Sequence, residues 1–347
     1  MRPNFRAFAD KGSGEARKRV DMAGVLITGA GGMIGSHLLE RIGFAGGTEV
    51  IGTYFLPTVP LAQLAERFTL EELDVRSRTA MNAAIDRCRP DCIYHLAAQS
   101  VPVASWSDPW RTIDTNVIGT VNLFEAIRAV RKTQEPGYDP VVVVACSSAQ
   151  YGASLTLENL PITERAEQLP LHPYGVSKVA QDLLALQYWR NDRIRSVRAR
   201  IFNTTGPRKR DDVVSDFARR IALTKTIGGP LRVGNLETRR AILDVRDMID
   251  ALILLAERGE PGEAYNICGD RAWRIGDLIP IFEQLEDRTF ALFHDPALYR
   301  PSDEPVILGS TKKLMERTGW RPKVGIEATL KAVLDYELAH SVPGEER

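Results

Sequence analysis

Up to residue 202, apolar residues occur in short, nearly continuous runs that are separated by longer stretches of helical periodicity. Runs of this kind, rich in Val and Ile, are typical of strands buried on both faces of a parallel sheet. The alternation of strand and helix predicts an α/β protein with a doubly wound parallel sheet wrapped by helices. The predicted strands span residues 24–28, 48–53, 92–96, 141–146 and 197–202.

A glycine-rich turn follows the first of these runs. The segment Val25–Gly35 passes from a β-branched run through Gly29, Gly32 and Gly35 into a predicted helix. Glycine permits positive φ, lets the backbone approach a pyrophosphate, and allows the helix to pack closely on the strand. The turn therefore predicts a phosphate-binding helix N-terminus for a dinucleotide, although the spacing alone is equally compatible with an ordinary strand-to-helix turn.

A possible proton-transfer pair lies further along the chain. Tyr174 and Lys178 are four residues apart, so a phenol and an ammonium share one helix face. A neighbouring cation favours the phenolate, which would make the phenol a usable acid or base near neutral pH. Ser147 ends the buried run at 141–146, where parallel sheets present side chains to ligands. We predict Ser147, Tyr174 and Lys178 as the catalytic residues.

With these motifs in this order, the chain resembles the extended short-chain dehydrogenase/reductase family, also called the NAD-dependent epimerase/dehydratase family, over about residues 23–340. The resemblance implies a doubly wound parallel Rossmann sheet with a smaller, interleaved C-terminal substrate-binding lobe. It also implies cofactor contacts from Thr28, Gly29, Gly32, Met33, Ile34, Gly35, Asp74, Val75, Leu96, Ala97, Ala98, Gln99, Asn116, Tyr174, Lys178 and Phe202.

The second half is similar to the branch of this family that acts on GDP-mannose derivatives, the 4,6-dehydratases and the 4-keto-6-deoxy-mannose reductases. The matching stretches are residues 200–208, 233–237 and 299–305. The resemblance implies a nucleotide-diphosphate sugar, GDP-linked, as the substrate, and arginine forks suit its diphosphate. The substrate contacts that we expect are Ser100, Ser148, Asn203, Arg219, Asn235, Arg240 and Arg300.

One position departs from the dehydratase pattern. The dehydratases have a glutamate two residues before the tyrosine that corresponds to Tyr151, and this chain has Ala149 there. Loss of water needs an acid and a base, which alanine cannot supply. Gln150 is adjacent, but if extended geometry persists its side chain points to the opposite side of the strand end.

We therefore favour a reductase that acts at sugar C4, of the GDP-4-keto-6-deoxy-mannose (GDP-rhamnose-forming) type. A GDP-mannose or GDP-heptose 4,6-dehydratase and a nucleotide-sugar epimerase remain open, since C4 oxidation and return of the hydride need the same three residues. A non-catalytic cofactor-binding protein is disfavoured, because a pure binder has no need of the phenol.

The cofactor is expected to be NADP or NAD, with a preference for NADP. The second predicted strand ends without the acidic residue that would bind the adenosine 2′-hydroxyl of NAD, and without an arginine for the 2′-phosphate of NADP. The absence of the acid removes a repulsion, and the resembling dehydratases generally use NADP.

The domain organisation follows from where Pro and Gly concentrate, at residues 204–207 and 228–234. We predict a flexible basic arm at 1–22, a dinucleotide-binding domain at 23–205, and a lobe at 206–347 that mainly binds the nucleotide sugar. The segment 241–258 is predicted to return to the first domain.

Composition narrows the remaining classes of partner. With 45 basic and 45 acidic residues the net charge is zero, which argues against nucleic-acid binding. Without a secretory segment or an apolar run of about 20 residues, we expect a cytoplasmic protein with no membrane partner. The four cysteines and five histidines lack metal-ligand spacing, so we predict no metal. Apolar residues on several faces of the helices near 112–132 and 174–190 suggest a homodimer.

Overall fold

The computed structural model of the chain describes residues 24–133, 135–299 and 304–340. The predicted arm at 1–22 lies outside them. The strands are β1 (Gly24–Thr28), β2 (Glu49–Tyr54), β3 (Thr69–Glu72), β4 (Cys92–His95), β5 (Val141–Ser147), β6 (Arg195–Ile201), β7 (Thr204–Thr205), β8 (Leu231–Val233), β9 (Arg239–Arg240), β10 (Leu243–Asp244), β11 (Ala264–Ile267), β12 (Trp273–Arg274), β13 (Leu292–His294) and β14 (Val306–Ile307).

The α-helices lie between and after these strands. They are α1 (Met33–Gly43), α2 (Ala62–Ala65), α3 (Arg78–Cys88), α4 (Pro102–Ser107), α5 (Pro109–Ile113), α6 (Gly119–Thr133), α7 (Pro173–Asp192), α8 (Val213–Ile227), α9 (Val245–Arg258), α10 (Leu278–Glu286), α11 (Lys312–Thr318) and α12 (Ile326–His340). A π-helical turn at Asp114–Ile118 joins α5 to α6, and a 3-10 turn at Ser148–Gln150 follows β5. None of the helices in the described ranges is long and apolar enough to cross a membrane.

Seven strands form one parallel sheet in the order β11-β6-β5-β4-β1-β2-β3. The doubly wound parallel sheet is therefore confirmed. All five predicted strands are present, with ends shifted by at most two residues, whereas β3 and β11 were not predicted. The order reverses between β1 and β4, and ligands of open α/β sheets bind in the crevice at such a reversal.

Alternating side chains of the inner strands enter two cores, one on each face of the sheet. Val25 and Ile27 of β1 join the core formed with α1 and α9, whereas Leu26 joins the opposite core with α3 and α6. Burial on both faces explains why the predicted strands are continuously apolar rather than alternating.

A third core lies within the C-terminal part of the chain. Phe217 of α8, Phe282 of α10 and Leu330 of α12 are its larger members. The helix α9 precedes most of this core in sequence but packs on α1 and β6, and its apolar residues belong to the sheet core. The chain thus leaves the sheet after β6 and comes back to it through α9, while the predicted limits of the two domains stay predictions.

A buried ion-pair cluster ties α7 to β6. Asp182 is fully buried and accepts hydrogen bonds from Arg198 at 2.5 Å and from Arg200 at 2.9 Å. Burial alone would raise the pKa of this carboxyl, but hydrogen bonds and charge from the two arginines outweigh it, and the pKa is lowered. The carboxylate therefore stays ionised and fixes the helix that carries Tyr174 and Lys178 against the sheet.

Candidate active site

A cavity of about 520 Å³ lies at the carboxyl edge of the sheet, over the reversal between β1 and β4. Its size is that of a cofactor or substrate site. Most of the residues predicted to bind the cofactor line it, together with all three predicted catalytic residues and Ser100. They are Gly29, Gly32, Met33, Ile34, Gly35, Asp74, Val75, Leu96, Ala97, Ala98, Gln99, Ser100, Phe202, Ser147, Tyr174 and Lys178.

The glycine turn forms the floor of this cavity, and its glycines meet different constraints. Gly29 has a φ of +78°, and a Cβ there would lie 2.7 Å from the backbone nitrogen of Ala97. A Cβ on Gly35 would lie 2.2 Å from the carbonyl oxygen of Gly29. A Cβ on Gly32 would lie 3.4 Å from the carbonyl oxygen of Gly29, an ordinary contact, so the packing of the protein does not require glycine there.

Two predicted cofactor residues, Thr28 and Asn116, lie behind the cavity wall. The hydroxyl of Thr28 accepts a hydrogen bond from the backbone nitrogen of Ala97 at 3.3 Å. The amide of Asn116 accepts from the backbone N–H of Gln99 at 2.8 Å and donates to its carbonyl at 3.0 Å. Both side chains shape the loop after β4, which itself lines the cavity.

Helix α7 brings Tyr174 and Lys178 to Ser147. His172 caps the helix by accepting a hydrogen bond from the backbone nitrogen of Gly175 at 3.0 Å, and its ring stacks on that of Tyr174. A Cβ on Gly175 would lie 2.7 Å from the carbonyl oxygen of Ala149. Glycine therefore allows the first turn of α7 to approach the 3-10 turn that follows Ser147.

Burial dominates the electrostatics of Tyr174 and Lys178. Burial raises the pKa of Tyr174 to about 12, while a hydrogen bond with Ser147 acts in the opposite direction. Burial lowers the pKa of Lys178 to about 8. The phenol is therefore a proton donor at neutral pH in this state, and the phenolate that we expected near neutrality is not favoured by the protein alone.

The extended geometry on which the expectation for Gln150 depended does not hold, although Gln150 does not line the cavity. The chain does not stay extended after Ser147 but turns through Ser148–Gln150, and the Gln150 side chain folds back toward the backbone nitrogen of Ser147, at 3.4 Å. Ala149 lies in the same turn and does not line the cavity. The turn is closed by the Ser147 hydroxyl, which accepts from the backbone nitrogen of Ala149 at 3.2 Å.

Several of the predicted sugar-nucleotide residues do not line the cavity, and Arg300 lies outside the described residues. Arg240 is buried and donates to the carbonyl of Glu304 at 2.7 Å. The side-chain oxygen of Asn203 is buried and has no hydrogen-bond partner among the described residues.

The other three have local contacts. Arg219 lies 3.6 Å from the carboxylate of Asp216, Asn235 accepts from the backbone nitrogen of Glu237, and Ser148 lies in the 3-10 turn. The roles of these residues stay predictions.

Sequence reasoning missed the cationic and aromatic groups on the β2–β3 side of the cavity. Arg76 follows β3, forms an ion pair with Asp74 at 2.7 Å, and places its guanidinium over the Phe55 ring at the end of β2. Arg76 and Phe55 line the cavity, as do Arg111 and Lys209. The only sequence signal was the position of Arg76 two residues after the predicted contact Asp74.

Within the described part of the chain, Asp74 is the one carboxylate that lines the cavity. The hydrogen bonds of Arg76 lower the pKa of Asp74, so this carboxyl stays ionised. The dehydratases have a glutamate at the position of Ala149, close to Ser147. An ionised, paired carboxylate near the end of β3 cannot replace it as an acid.

The sequence model of the GDP-mannose 4,6 dehydratase family matches residues 26–333. The chain belongs to this family. It is 34% identical to GDP-6-deoxy-D-mannose reductase of Pseudomonas aeruginosa over 252 residues, which cover 72% of this chain and 81% of the relative.

Solved structures of the wider epimerase and reductase group share the fold. RMD of Pseudomonas aeruginosa, in complex with NADPH, superposes with a TM-score of 0.78 at 28% identity, over 92% of this chain and 100% of that one. UDP-glucose 4-epimerase of Thermotoga maritima, with UDP-glucose, superposes with a TM-score of 0.81 at 25% identity, over 90% and 98%. Membership of the family predicted from the motifs is confirmed.

Two glycines of the turn, Gly32 and Gly35, should respond differently to substitution by alanine. We expect Gly32→Ala to leave the melting temperature within about 2 °C, because the methyl makes only an ordinary contact at 3.4 Å, but to weaken dinucleotide binding about tenfold or more. Gly35→Ala should lower the melting temperature by several degrees, because the methyl overlaps the Gly29 carbonyl. Thermal unfolding and fluorescence titration with NADPH and NADH measure both. Equal destabilisation by the two variants would contradict the assignment of Gly32 to the ligand.

Proposed function

We propose that this chain reduces the C4 ketone of a GDP-linked 4-keto-6-deoxy sugar, forming a GDP-rhamnose-type product. The observation that carries the proposal is a cavity that joins Ser147, Tyr174 and Lys178 and, among the described residues, contains no carboxylate besides the paired Asp74. Ketone reduction needs a hydride source, a hydroxyl and a proton donor, whereas 4,6-dehydration needs a further acid and base.

In this proposal each of the three side chains has one task. The bound nicotinamide supplies the hydride to C4. Ser147 donates a hydrogen bond to the C4 oxygen, and Tyr174 transfers its phenolic proton to that oxygen as negative charge develops there. Lys178 lies beside the Tyr174 ring, with its nitrogen 5.8 Å from the ring centre, and its positive charge favours the phenolate that the transfer leaves. The raised pKa of Tyr174 keeps the proton available until the hydride arrives.

NADP is the proposed cofactor, with NAD as the alternative. The adenosine of a dinucleotide lies near the end of the second strand of such a sheet, where Arg76 covers Phe55. A guanidinium there suits a 2′-phosphate, since arginine binds phosphate oxygens in a bidentate manner. The NADPH in the Pseudomonas aeruginosa RMD structure supports the same choice.

The GDP moiety is proposed from the family and from the reductase of Pseudomonas aeruginosa. The unpartnered side-chain oxygen of Asn203 is a candidate acceptor for the nucleotide sugar, alongside the predicted contacts Arg240, Asn235, Arg219 and Arg300. We place the protein in the cytoplasm, where such nucleotide sugars serve polysaccharide biosynthesis.

We also propose a homodimer through α5, α7 and the π-turn between α5 and α6. Of the apolar residues that suggested it, Leu183 is 51% exposed, whereas Ile127 and Tyr188 belong to the internal core. Trp110 of α5 and Val176 of α7 are also exposed, at 83% and 49%, and these two helices pack together. A patch of this kind on a soluble surface is typical of an interface.

The catalytic assignment predicts unequal losses for two conservative variants. Tyr174→Phe should lower kcat for GDP-4-keto-6-deoxy-mannose by about 10²- to 10⁴-fold, because it removes the proton donor, and Ser147→Ala by a smaller factor. NADPH oxidation at 340 nm and the product mass, which gains two hydrogens, measure the reaction. Tyr188→Phe, on the same helix but away from the cavity, is the matched control and should retain full activity. Full turnover by Tyr174→Phe would refute the assignment, and loss of water from GDP-mannose would favour the dehydratase.

The cofactor assignment predicts a change in selectivity at Arg76. Replacement by Gln should raise the KM for NADPH about tenfold, since a charge-assisted contact with the 2′-phosphate is lost, and should leave the KM for NADH nearly unchanged. Arg87→Gln, an exposed arginine that does not line the cavity, is the control. Equal effects on both cofactors would exclude a contact with the 2′-phosphate.

The proposed dimer should dissociate when a charged side chain replaces Leu183 on the exposed apolar surface of α7. We expect sedimentation velocity to show a dimer for the wild-type chain and a monomer for Leu183→Glu, because a buried, unpaired carboxylate opposes association. Leu157→Glu, at another exposed leucine, should remain dimeric. A monomeric wild-type protein would rule out the dimer.

A further inference from the structure

The ammonium of Lys178 is held by two oxygen acceptors behind the cavity. Lys178 is 3% exposed, and its Nζ donates to the carbonyl of Ala145 at 2.7 Å and to Oε1 of Gln181 at 2.7 Å. An ammonium has three N–H donors. The two bonds leave one N–H donor of the ammonium, and Lys178 lines the cavity.

Only one orientation of the Gln181 amide fits this site. Its oxygen faces Lys178, and its Nε2 donates to the hydroxyl of Thr120 at 3.0 Å. A reversed amide would place an NH₂ group against an ammonium, where neither can accept. Gln181 is fully buried, so water does not supply an alternative partner.

The hydroxyl of Thr120 fixes the direction of the next hydrogen bond, which joins it to His95. It donates its one proton to the carbonyl of Asn116 at 2.6 Å. Its two lone pairs must then accept from Gln181 and from Nε2 of His95, which lies at 3.1 Å. Nε2 of His95 therefore carries a proton.

The second ring nitrogen of His95 makes the last side-chain hydrogen bond of this series. Burial lowers the pKa of His95 to about 3, so the ring is neutral and its Nδ1 has no proton. Nδ1 accepts from the hydroxyl of Thr28 at 2.9 Å, and that hydroxyl accepts in turn from the backbone nitrogen of Ala97. Each hydrogen bond in the series from Ala97 to Lys178 therefore has only one possible direction from donor to acceptor.

We propose that Gln181 is a positioning residue for Lys178, and that the directed chain through Thr120, His95 and Thr28 holds the Gln181 amide so that one N–H of the ammonium is presented to the cavity. The chain joins four elements: β1, the end of β4, the start of α6 and α7. It links the glycine turn to the catalytic lysine by hydrogen bonds alone. Its kinetic consequence rests on the proposed reductase function, but its hydrogen-bond directions do not.

The titratable groups around the ammonium are few. Lys178 faces the thiol of Cys146 on β5, the phenol of Tyr174 on its own helix, and neutral His95 on β4. The carboxylate of Asp182, one turn further along α7, binds Arg198 and Arg200 instead. None of the hydrogen bonds of the described residues joins Lys178 to a carboxylate, so the Gln181 oxygen is a main source of support for its charge.

Two substitutions of Gln181 should therefore move the pH profile in opposite directions. Reduction requires charged Lys178, so kcat/KM for the wild type should fall as pH rises through about 8. Gln181→Met removes the acceptor, lowers the pKa of Lys178, and should shift this fall to lower pH and reduce kcat at neutral pH by about ten- to a hundredfold. Gln181→Glu supplies a carboxylate, raises that pKa, and should shift the fall to higher pH.

Gln187→Met, at an exposed glutamine of the same helix, is the matched control and should match the wild type. Shifts of the same sign in both Gln181 variants, or a loss of kcat with an unmoved profile, would show that Gln181 has only a structural role and would overturn the proposal.

A second measurement needs no activity. In ¹⁵N-histidine-labelled wild-type protein, with the His95 signals assigned by their loss in His95→Gln, NMR should show a neutral ring protonated at Nε2 from pH 5 to 9. A proton on Nδ1, or titration within this range, would overturn the directed chain. If the NMR result holds but no ketone is reduced, the proposed function fails while the hydrogen-bond chain stands.

Discussion

The candidate site depends on keeping an ammonium buried without a buried carboxylate beside it. Removing a charge from water is unfavourable unless hydrogen bonds replace the solvent, and Lys178 receives that replacement from a carbonyl and an amide oxygen. The result is a lysine whose pKa is lowered to about 8, charged at neutral pH and yet responsive to its surroundings.

The rest of the architecture follows from bringing that ammonium to the edge of the sheet. Parallel strands place Ala145 and Ser147 at the same edge as the glycine turn, and the Asp182 cluster anchors α7 across β6. The close approach of Gly175 to the turn after Ser147 sets Tyr174 beside the hydroxyl. The shape of the cavity therefore follows from the sheet topology and from this tight backbone contact, which together bring Ser147, Tyr174 and Lys178 to one place.

The sequence predicted what is local and missed what depends on distant contacts. Tyr174 and Lys178 are one helical turn apart, and the glycines form one turn, so the spacing and order of these motifs along the chain were enough to select them. Arg76 meets Phe55 only because β2 and β3 are neighbours in the sheet, and β11 was missed because its polar Asn266 is matched by Tyr151, far away in the chain. The 3-10 turn at Ser148–Gln150 was not predicted, because no local pattern indicates that the chain leaves extended geometry after Ser147. The substrate residues were carried over from the resemblance, and of those that the structure describes the cavity contains only Ser100.

Transfer of deuterium tests the central claim most directly. The protein would be incubated with GDP-4-keto-6-deoxy-mannose and NADPH deuterated at the transferable C4 position, and the sugar analysed by NMR and mass spectrometry. The account predicts one deuterium at sugar C4 for each NADPH oxidised. A product without deuterium at C4, or NADPH that stays unoxidised while GDP-mannose loses water, would contradict the assignment of this chain as a C4 ketoreductase.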